Sequence, residues 1–312
     1  MAYTKSLYVK NGKLRKYNGA AEELFIQGGK IKNIGRNAFS KCKTLKKITI
    51  SDIGYIDEYA FSSCPLLESV ELINVKSIRG FAFKSCRQLK TVILGEGSEE
   101  IQYCAFHSCV SLENINIPKS VTYIGHSVFA GCKALKNISV AEDNRHFVFM
   151  GNCLINTDRK LIVAGFDYPE IPEGSADTIG FHAFVNRKLP KIFAIPEGIN
   201  TIQSLSFWGC EGVEEIKLPE SLLFIGSYTF SICETLKTVN IPKNVREIDE
   251  SAFECCDSLT SIYIPKSVRT IHARVFYACK NLKDVYCEAD SKPDSWDEKW
   301  LEGCTATIHF GA

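Results

Sequence analysis

The sequence lacks the features that most function classes require. Lysine and arginine total 37 against 36 aspartate and glutamate, a net charge of +1. There is no basic surplus to attract nucleic acid or an acidic membrane surface. No apolar run approaches the roughly 18–20 residues of a spanning helix, so no membrane insertion is expected. Residues 1–10 contain no apolar core of signal-peptide length. As it stands the chain is expected to be cytoplasmic; with a leader ahead of it, it would be secreted or displayed on the cell surface. There is no phosphate-cradling glycine loop, no nucleophile elbow and no H-E-x-x-H motif. The six histidines share no ligand spacing, and neither a metal nor another cofactor is expected. The composition, 45% hydrophobic and 23% charged, is that of a folded protein rather than a disordered one.

What the chain does have is a beat. Phe39, Phe61, Phe83, Phe106 and Phe129 follow at spacings of 22 or 23 residues, and Phe184, Phe207, Phe230, Phe253 and Phe276 at 23. Self-similarity at this period is the mark of a solenoid. Ten copies of one supersecondary unit are therefore expected, in a stack where each coil buries its face against its neighbours.

Fourteen cysteines would suggest a disulfide framework or a zinc site, but their positions argue otherwise. Nine of them, Cys42, Cys64, Cys86, Cys109, Cys132, Cys210, Cys233, Cys256 and Cys279, stand three residues after a repeat phenylalanine. A buried free cysteine behaves as a small hydrophobe, and one per coil makes a column of reduced thiols. Close pairs of the C-x2-C kind that zinc needs are missing. In the sixth repeat Arg187 replaces the cysteine and is expected to reach solvent or an acid.

Within a repeat, segments such as Leu112, Ile115 and Ile117 end in period-two alternation, the signature of a strand with one buried face. Proline closes the strand at Pro118, Pro196, Pro219, Pro242 and Pro265. The Ala-Phe-x-x-Cys step is expected to form one turn of α or 3-10 helix. Gly35, Gly125, Gly180 and Gly226 mark a turn with unusual dihedrals or close approach. Asp57 and Asp249 share that slot, as residues that tolerate left-handed turns.

The repeat I-P-x-x-V-x-x-I-G-x-x-A-F-x-x-C-x-x-L-x-x-I resembles the BspA-like leucine-rich repeat family, from about Gly28 to Cys287. Tyr17-Asn18-Gly19 is similar to the family's lead-in, and Trp296 to Trp300 to its closing segment. The resemblance implies an α/β repeat: a right-handed leucine-rich repeat solenoid with a concave parallel β-sheet and short helical or 3-10 turns on its convex side. It implies protein–protein contacts, including adhesion by secreted bacterial members, and no catalytic residues. The domain reading is one solenoid over 1–312, with a lead-in cap at 1–30, a β-hairpin insertion at 141–168 and a closing cap at 288–312. Trp296 and Trp300 are expected to seal the last coil.

Function is sought where regularity fails. Most outward strand positions, eight and ten after each phenylalanine, are small and polar; Tyr263, Tyr286 and Ile192 are the exceptions, and aromatic anchors carry much interface energy. A protein partner on this face, with the chain itself a monomer, is the leading reading. The alternative is a glycan held by Asn114, Asn116, Asn137, Tyr263 and Tyr286. A competing edge is the hairpin of Cys153–Asn156 and Lys160–Val163. The only catalytic candidate is a Cys104 thiolate beside His107 or His126, with no third group to orient it.

Overall fold

In a computed structural model, which describes residues 6–136 and 138–312, the chain divides into two compact units, Met1–Phe149 and Met150–Ala312. Both are β-solenoids, and no helix occurs among the described residues. This overturns the helical turn, and with it the α/β class. The reason lies in the corner around each phenylalanine. Residues two before and two after it have left-handed backbones in all ten repeats, among them Asn37 (φ 58°) and Lys41 (φ 60°), Tyr228 (φ 54°) and Ile232 (φ 60°). Successive amides then point alternately along and across the stack. Phe39 N–H donates to the Ala60 carbonyl of the next coil at 2.7 Å, Ser40 N–H to Asn37 within its own coil at 3.1 Å, and Lys41 N–H to Ser62 of the next coil at 2.9 Å. A helix needs consecutive amides to bond within one segment; here every second amide leaves for the neighbour. Left-handed backbone costs about 1–2 kcal/mol per non-glycine residue, and only Gly131 and Gly209 among these twenty positions are glycines. The bonds between coils that this rotation creates offset that cost.

Each regular coil therefore contributes a corner and two strands. One is the expected alternating strand, such as Asn114–Ile117; the other is a two-residue strand ending in the repeat isoleucine, such as Tyr123–Ile124. Coil-to-coil pairing is parallel and in register, as in Tyr123 opposite Glu100 and Thr178 opposite Thr201.

The two units together hold about 13 coils rather than ten. The additional coils carry other residues in the phenylalanine slot. In the first unit Tyr17 donates its N–H to the Ala38 carbonyl and stacks on Phe39 at 4.9 Å. In the second unit Gly165 makes the same bond to Ala183, and a Cβ there would meet the Phe184 ring at 1.8 Å. At the end of the second unit Trp296 bridges Ile271 in the isoleucine slot, Trp300 accepts from Val275 N–H, and Cys304 N–H returns to Leu301 as the column cysteines return to phenylalanine. Trp300 meets Phe276 edge-on at 6.3 Å and Trp296 at 5.0 Å, and both tryptophans are buried.

Both units open with an antiparallel hairpin whose second strand starts the parallel ladder. In the first, Leu7–Lys10 pairs Lys13–Tyr17, and Lys13 then pairs Asn33. In the second, Cys153–Asn156 pairs Leu161–Gly165, and Leu161 then pairs Thr178. Asn156 turns the second hairpin by accepting from Arg159 N–H at 2.8 Å. Cys153, Leu154, Ile155 and Ile162 are fully buried, so this hairpin is part of the core of its unit.

The core is columnar. Repeat phenylalanines stack at 4.6–6.2 Å in the first unit and at 4.9–5.7 Å in the second. Eight of the nine repeat thiols donate to the carbonyl of the preceding repeat phenylalanine, as Cys86 does to Phe61 at 3.0 Å and Cys233 to Phe207 at 3.2 Å. The thiol therefore acts as a donor as well as a hydrophobe. All fourteen cysteines are free. Arg187 does not escape to solvent: it is 4% exposed, with its guanidinium 4.9 Å from the centre of the Phe166 ring.

The glycines after the repeat isoleucine serve close approach rather than left-handedness; a Cβ on Gly125 would lie 2.6 Å from the Tyr103 nitrogen. Asp57 and Asp249 in that slot are not left-handed either. Each accepts from the following N–H, at 3.0 and 2.7 Å. Burial pushes the Asp57 carboxyl up, but hydrogen bonds from Lys13, Glu58 N–H and Arg79 outweigh it and hold it below the usual carboxylate range.

Candidate binding surface

The alternating strands turn one side chain into the core and the next outward, and the outward column is the candidate surface. The sequence register holds: Ile262 and Val285 are buried while Tyr263 is 45% and Tyr286 37% exposed. Ser261–Ile264 pairs in parallel with Asp284–Cys287, which sets Tyr263 directly opposite Tyr286. The next strand, Thr307–Phe310, lies in the shortened last coil and puts His309 beside Tyr286. The two rings stack at 4.8 Å and 17°. His309 Nε2 lies 2.8 Å from the Asp284 carboxylate, which fixes the imidazole against the tyrosine. The Tyr263 hydroxyl lies 3.5 Å from the Ala312 carbonyl. The result is a three-ring outward row on a hydrogen-bonded sheet, with little side-chain freedom left to lose on contact.

The other sequence candidates fall elsewhere. Ile192 is 56% exposed, at the start of Ile192–Ala194, and pairs Glu215 in a separate three-stranded sheet. Asn114 is exposed, opposite Thr91. The Asn116 amide is committed: Oδ1 accepts from Leu94 N–H at 2.8 Å and Nδ2 donates to the Leu94 carbonyl at 2.7 Å. Asn240 does the same with Leu218. Such a side chain imitates a strand neighbour, which extends the ladder where backbone pairing lapses. Asn137 lies outside the described residues.

Sequence reasoning passed over Phe25 (46% exposed), Ile73 and Ile93 (47%) on the first unit, and His309 on the second. Ile93 stands at a regular outward slot. Phe25 and His309 lie in coils without a phenylalanine, where the beat used to count positions is silent.

The catalytic candidate is poorly assembled. Burial raises the half-buried Cys104 thiol, while burial and then Lys84 depress His107. Cys104 meets His126 through the backbone, N–H to carbonyl at 3.1 Å. His107 and His126 each place Nδ1 beside the hydroxyl of the following serine, at 2.8 and 3.2 Å. A nucleophile held as the thiol is the reverse of what activation requires. Among the described residues no cluster of three metal-ligating side chains occurs, and no helix is long and apolar enough to cross a membrane.

No curated protein matches the chain. Solved structures do. A leucine-rich repeat protein from Eubacterium ventriosum is 22% identical, with 95% of this chain and 89% of that one covered and a TM-score of 0.78. The pneumococcal vaccine antigen PcpA is 19% identical, with 96% and 91% covered and a TM-score of 0.68. A leucine-rich cell surface protein from Faecalibacterium prausnitzii is 22% identical, with 98% and 95% covered and a TM-score of 0.59. At these identities the likeness is one of fold. The description "BspA type leucine rich repeat region (6 copies)" matches residues 17–136, 55–158 and 166–305, which takes in nearly the whole run of coils. With its phenylalanine–cysteine corners and paired ladders, the chain belongs to the BspA-type leucine-rich repeat family.

Proposed function

We propose that this repeat scaffold is non-enzymatic and binds a protein partner on the outward strand face of its C-terminal coils. The observation that carries this reading is the row Tyr263–Tyr286–His309, in register on a hydrogen-bonded sheet with both tyrosines exposed and His309 half-buried. Exposed aromatics held in place are the side chains that dominate protein interfaces. The commitment of the Asn116 amide to Leu94 removes one polar contact that a glycan would have used, and so favours a protein over a sugar. The likeness in fold to a cell surface protein and to a vaccine antigen supports an adhesion-type role outside the cell. The thiol column does not oppose it, because buried thiols are shielded from oxidant.

The test is a photo-crosslinker at position 263 or 286 in extracts of the native organism, followed by affinity measurement with the captured protein. Tyr263→Ala/Tyr286→Ala is expected to keep the fold and weaken binding by about 2 kcal/mol, roughly thirtyfold. Unchanged affinity would place the partner elsewhere. Binding on a glycan array with no protein captured would favour the sugar reading. Deleting the Cys153–Gly165 hairpin is not a usable control, since it removes the first ladder strand of its unit.

A further inference from the structure

We propose that the corner side of the first unit binds an acidic polysaccharide, one whose charged groups recur once per disaccharide, laid along the stack of coils. The site is separate from the tyrosine row and does not depend on it. What points to it is a charge pattern with a period of two coils. Four residues after its five phenylalanines the first unit has Lys43, Pro65, Arg87, Val110 and Lys133. Seven residues after them stand Lys46, Glu68, Lys90, Glu113 and Lys136. Both slots are thus basic in the first, third and fifth of these coils. In the second and fourth, one slot is apolar and the other acidic. The whole-chain charge of +1 hides this alternation.

The backbone holds these slots in register. Glu68 N–H donates to the Lys46 carbonyl at 2.7 Å, Lys90 N–H to Glu68 at 2.8 Å and Glu113 N–H to Lys90 at 2.9 Å. Nearer the corner, Lys41 N–H donates to Ser62, Ser63 N–H to Lys84 and Ser85 N–H to His107. The residues between are therefore stacked coil on coil. Lys43, Arg87 and Lys133 are exposed. Among the described residues none of the three is ion-paired, whereas Lys46 is paired with Glu22 at 2.9 Å. Pro65, Leu66 and Val110 are exposed between them.

The spacing selects the ligand. Hydrogen-bonded neighbours lie ~4.8 Å apart, so the basic coils recur about every 9.5 Å. A disaccharide of a linear glycan is about that long. Its carboxylate or sulfate meets each basic coil in charge-assisted hydrogen bonds, while the apolar face of a sugar ring lies on Pro65 or Val110. A nucleic acid fits worse. Its charges come about every 3.4 Å along a strand, and the intervening phosphates would face Glu68 and Glu113. The second unit lacks the pattern. Its equivalent row is Lys188, Glu211, Glu234, Asp257 and Lys280, acidic at the centre and closed by an Asp257–Lys280 pair at 2.6 Å.

The experiment is fluorescence anisotropy on the full chain at low salt, with end-labelled chondroitin sulfate oligosaccharides of increasing length. Affinity is expected to rise with each added disaccharide up to three, the number of basic coils, and to change less than about twofold beyond that. Binding is expected to be lost at about 0.5 M salt. Arg87→Glu/Lys133→Glu is expected to weaken it at least about tenfold. Lys243→Glu/Arg246→Glu makes the same charge change at exposed residues of the second unit and is expected to stay within about twofold of the parent. No binding at low salt overturns the proposal, as does an equal loss in the two double variants. Affinity that keeps climbing past three disaccharides, or tighter binding of a DNA oligonucleotide of the same length, overturns it too. If Arg87→Glu/Lys133→Glu unfolds, the length series on the parent chain decides alone.

Discussion

The two units are built on the same coil and close it differently. In the first, the strands Lys47–Ile56 and Ser69–Ile78 run ten residues and join both ladders in one sheet. In the second, the alternating strands are three- and four-residue pieces with a two-residue one between them, in sheets separate from the isoleucine ladder. One slot separates the cases. Twelve residues after the phenylalanine the second unit has Pro196, Pro219, Pro242 and Pro265; the early coils of the first have Ser51 and Ile73. Proline offers no N–H to a ladder, so the strand stops there. Without it the strand continues and bends through left-handed Asp52 (φ 57°) and Asn74 (φ 52°), whose side chains bond each other at 3.0 Å. Those coils are the ones with a 22-residue spacing. The residue at this one slot thus decides whether a coil has a continuous face or a broken one.

The cysteine column gives the sharpest way to break the comparison. Cys132 of the first unit is fully buried, while its counterpart in the sixth repeat is Arg187, accommodated over Phe166. Cys132→Arg brings a charge into a fully buried slot of the thiol column. A loss of about 3–5 kcal/mol is expected, read as an early urea transition of the first unit alone. Loss of both units in one transition would show that they do not melt separately.

The starter coils differ at Tyr17 and Gly165. Because a Cβ at Gly165 would lie within the Phe184 ring, Gly165→Ala is expected to cost about 1–3 kcal/mol by overpacking. Tyr17→Phe should cost less, since it keeps the ring on Phe39; its hydroxyl accepts from Ala21 N–H at 2.9 Å. Equal melting temperatures for Gly165→Ala and the parent chain would count against the assigned slot.

Both units should share one response to base. Burial raises the thiols of Cys153 and Cys279 to about 12 and of Cys287 to about 11, from an ordinary value near 9. Burial also raises the thiols of Cys109, Cys210 and Cys256 well above that ordinary value. The unfolded chain ionises these thiols first, so their contribution is intact below pH 9 and is lost as the pH climbs toward the folded values. Each thiol ionised only in the unfolded state removes about 1.4 kcal/mol per pH unit. Stability is therefore expected to fall steeply above pH 9, measured by denaturant midpoints from pH 7 to 11. A flat profile would mean that the thiols are accessible.

The smallest effect concerns the corners. Lys41 is exposed and left-handed (φ 60°) at the slot that Gly131 and Gly209 fill elsewhere. Lys41→Gly relieves about 1–2 kcal/mol of backbone cost against about 0.5–1 kcal/mol of added chain entropy. A gain of about 0.5 kcal/mol is expected, read from the thermal midpoint of the first unit.

The sequence alone determined the period, the inward and outward register of the strands, the thiol column and the family. All of these rest on side-chain identity repeated at fixed spacing, which burial enforces and a single chain displays. Tyr263 and Tyr286 could be called outward on that basis. The tertiary structure alone decided the corner. Ala-Phe-x-x-Cys is compatible with a helical turn, and only the carbonyls of the adjacent coil, some 23 residues away, draw every second amide out of it. It also decided the end coils. There Tyr17, Gly165 and Leu301 take the phenylalanine's place, because a coil is defined by the ladder it joins rather than by the residue that marks it. His309 joined the tyrosine row for the same reason: its neighbour is set by parallel pairing across 23 residues, a distance at which one sequence without its repeat marker carries no signal.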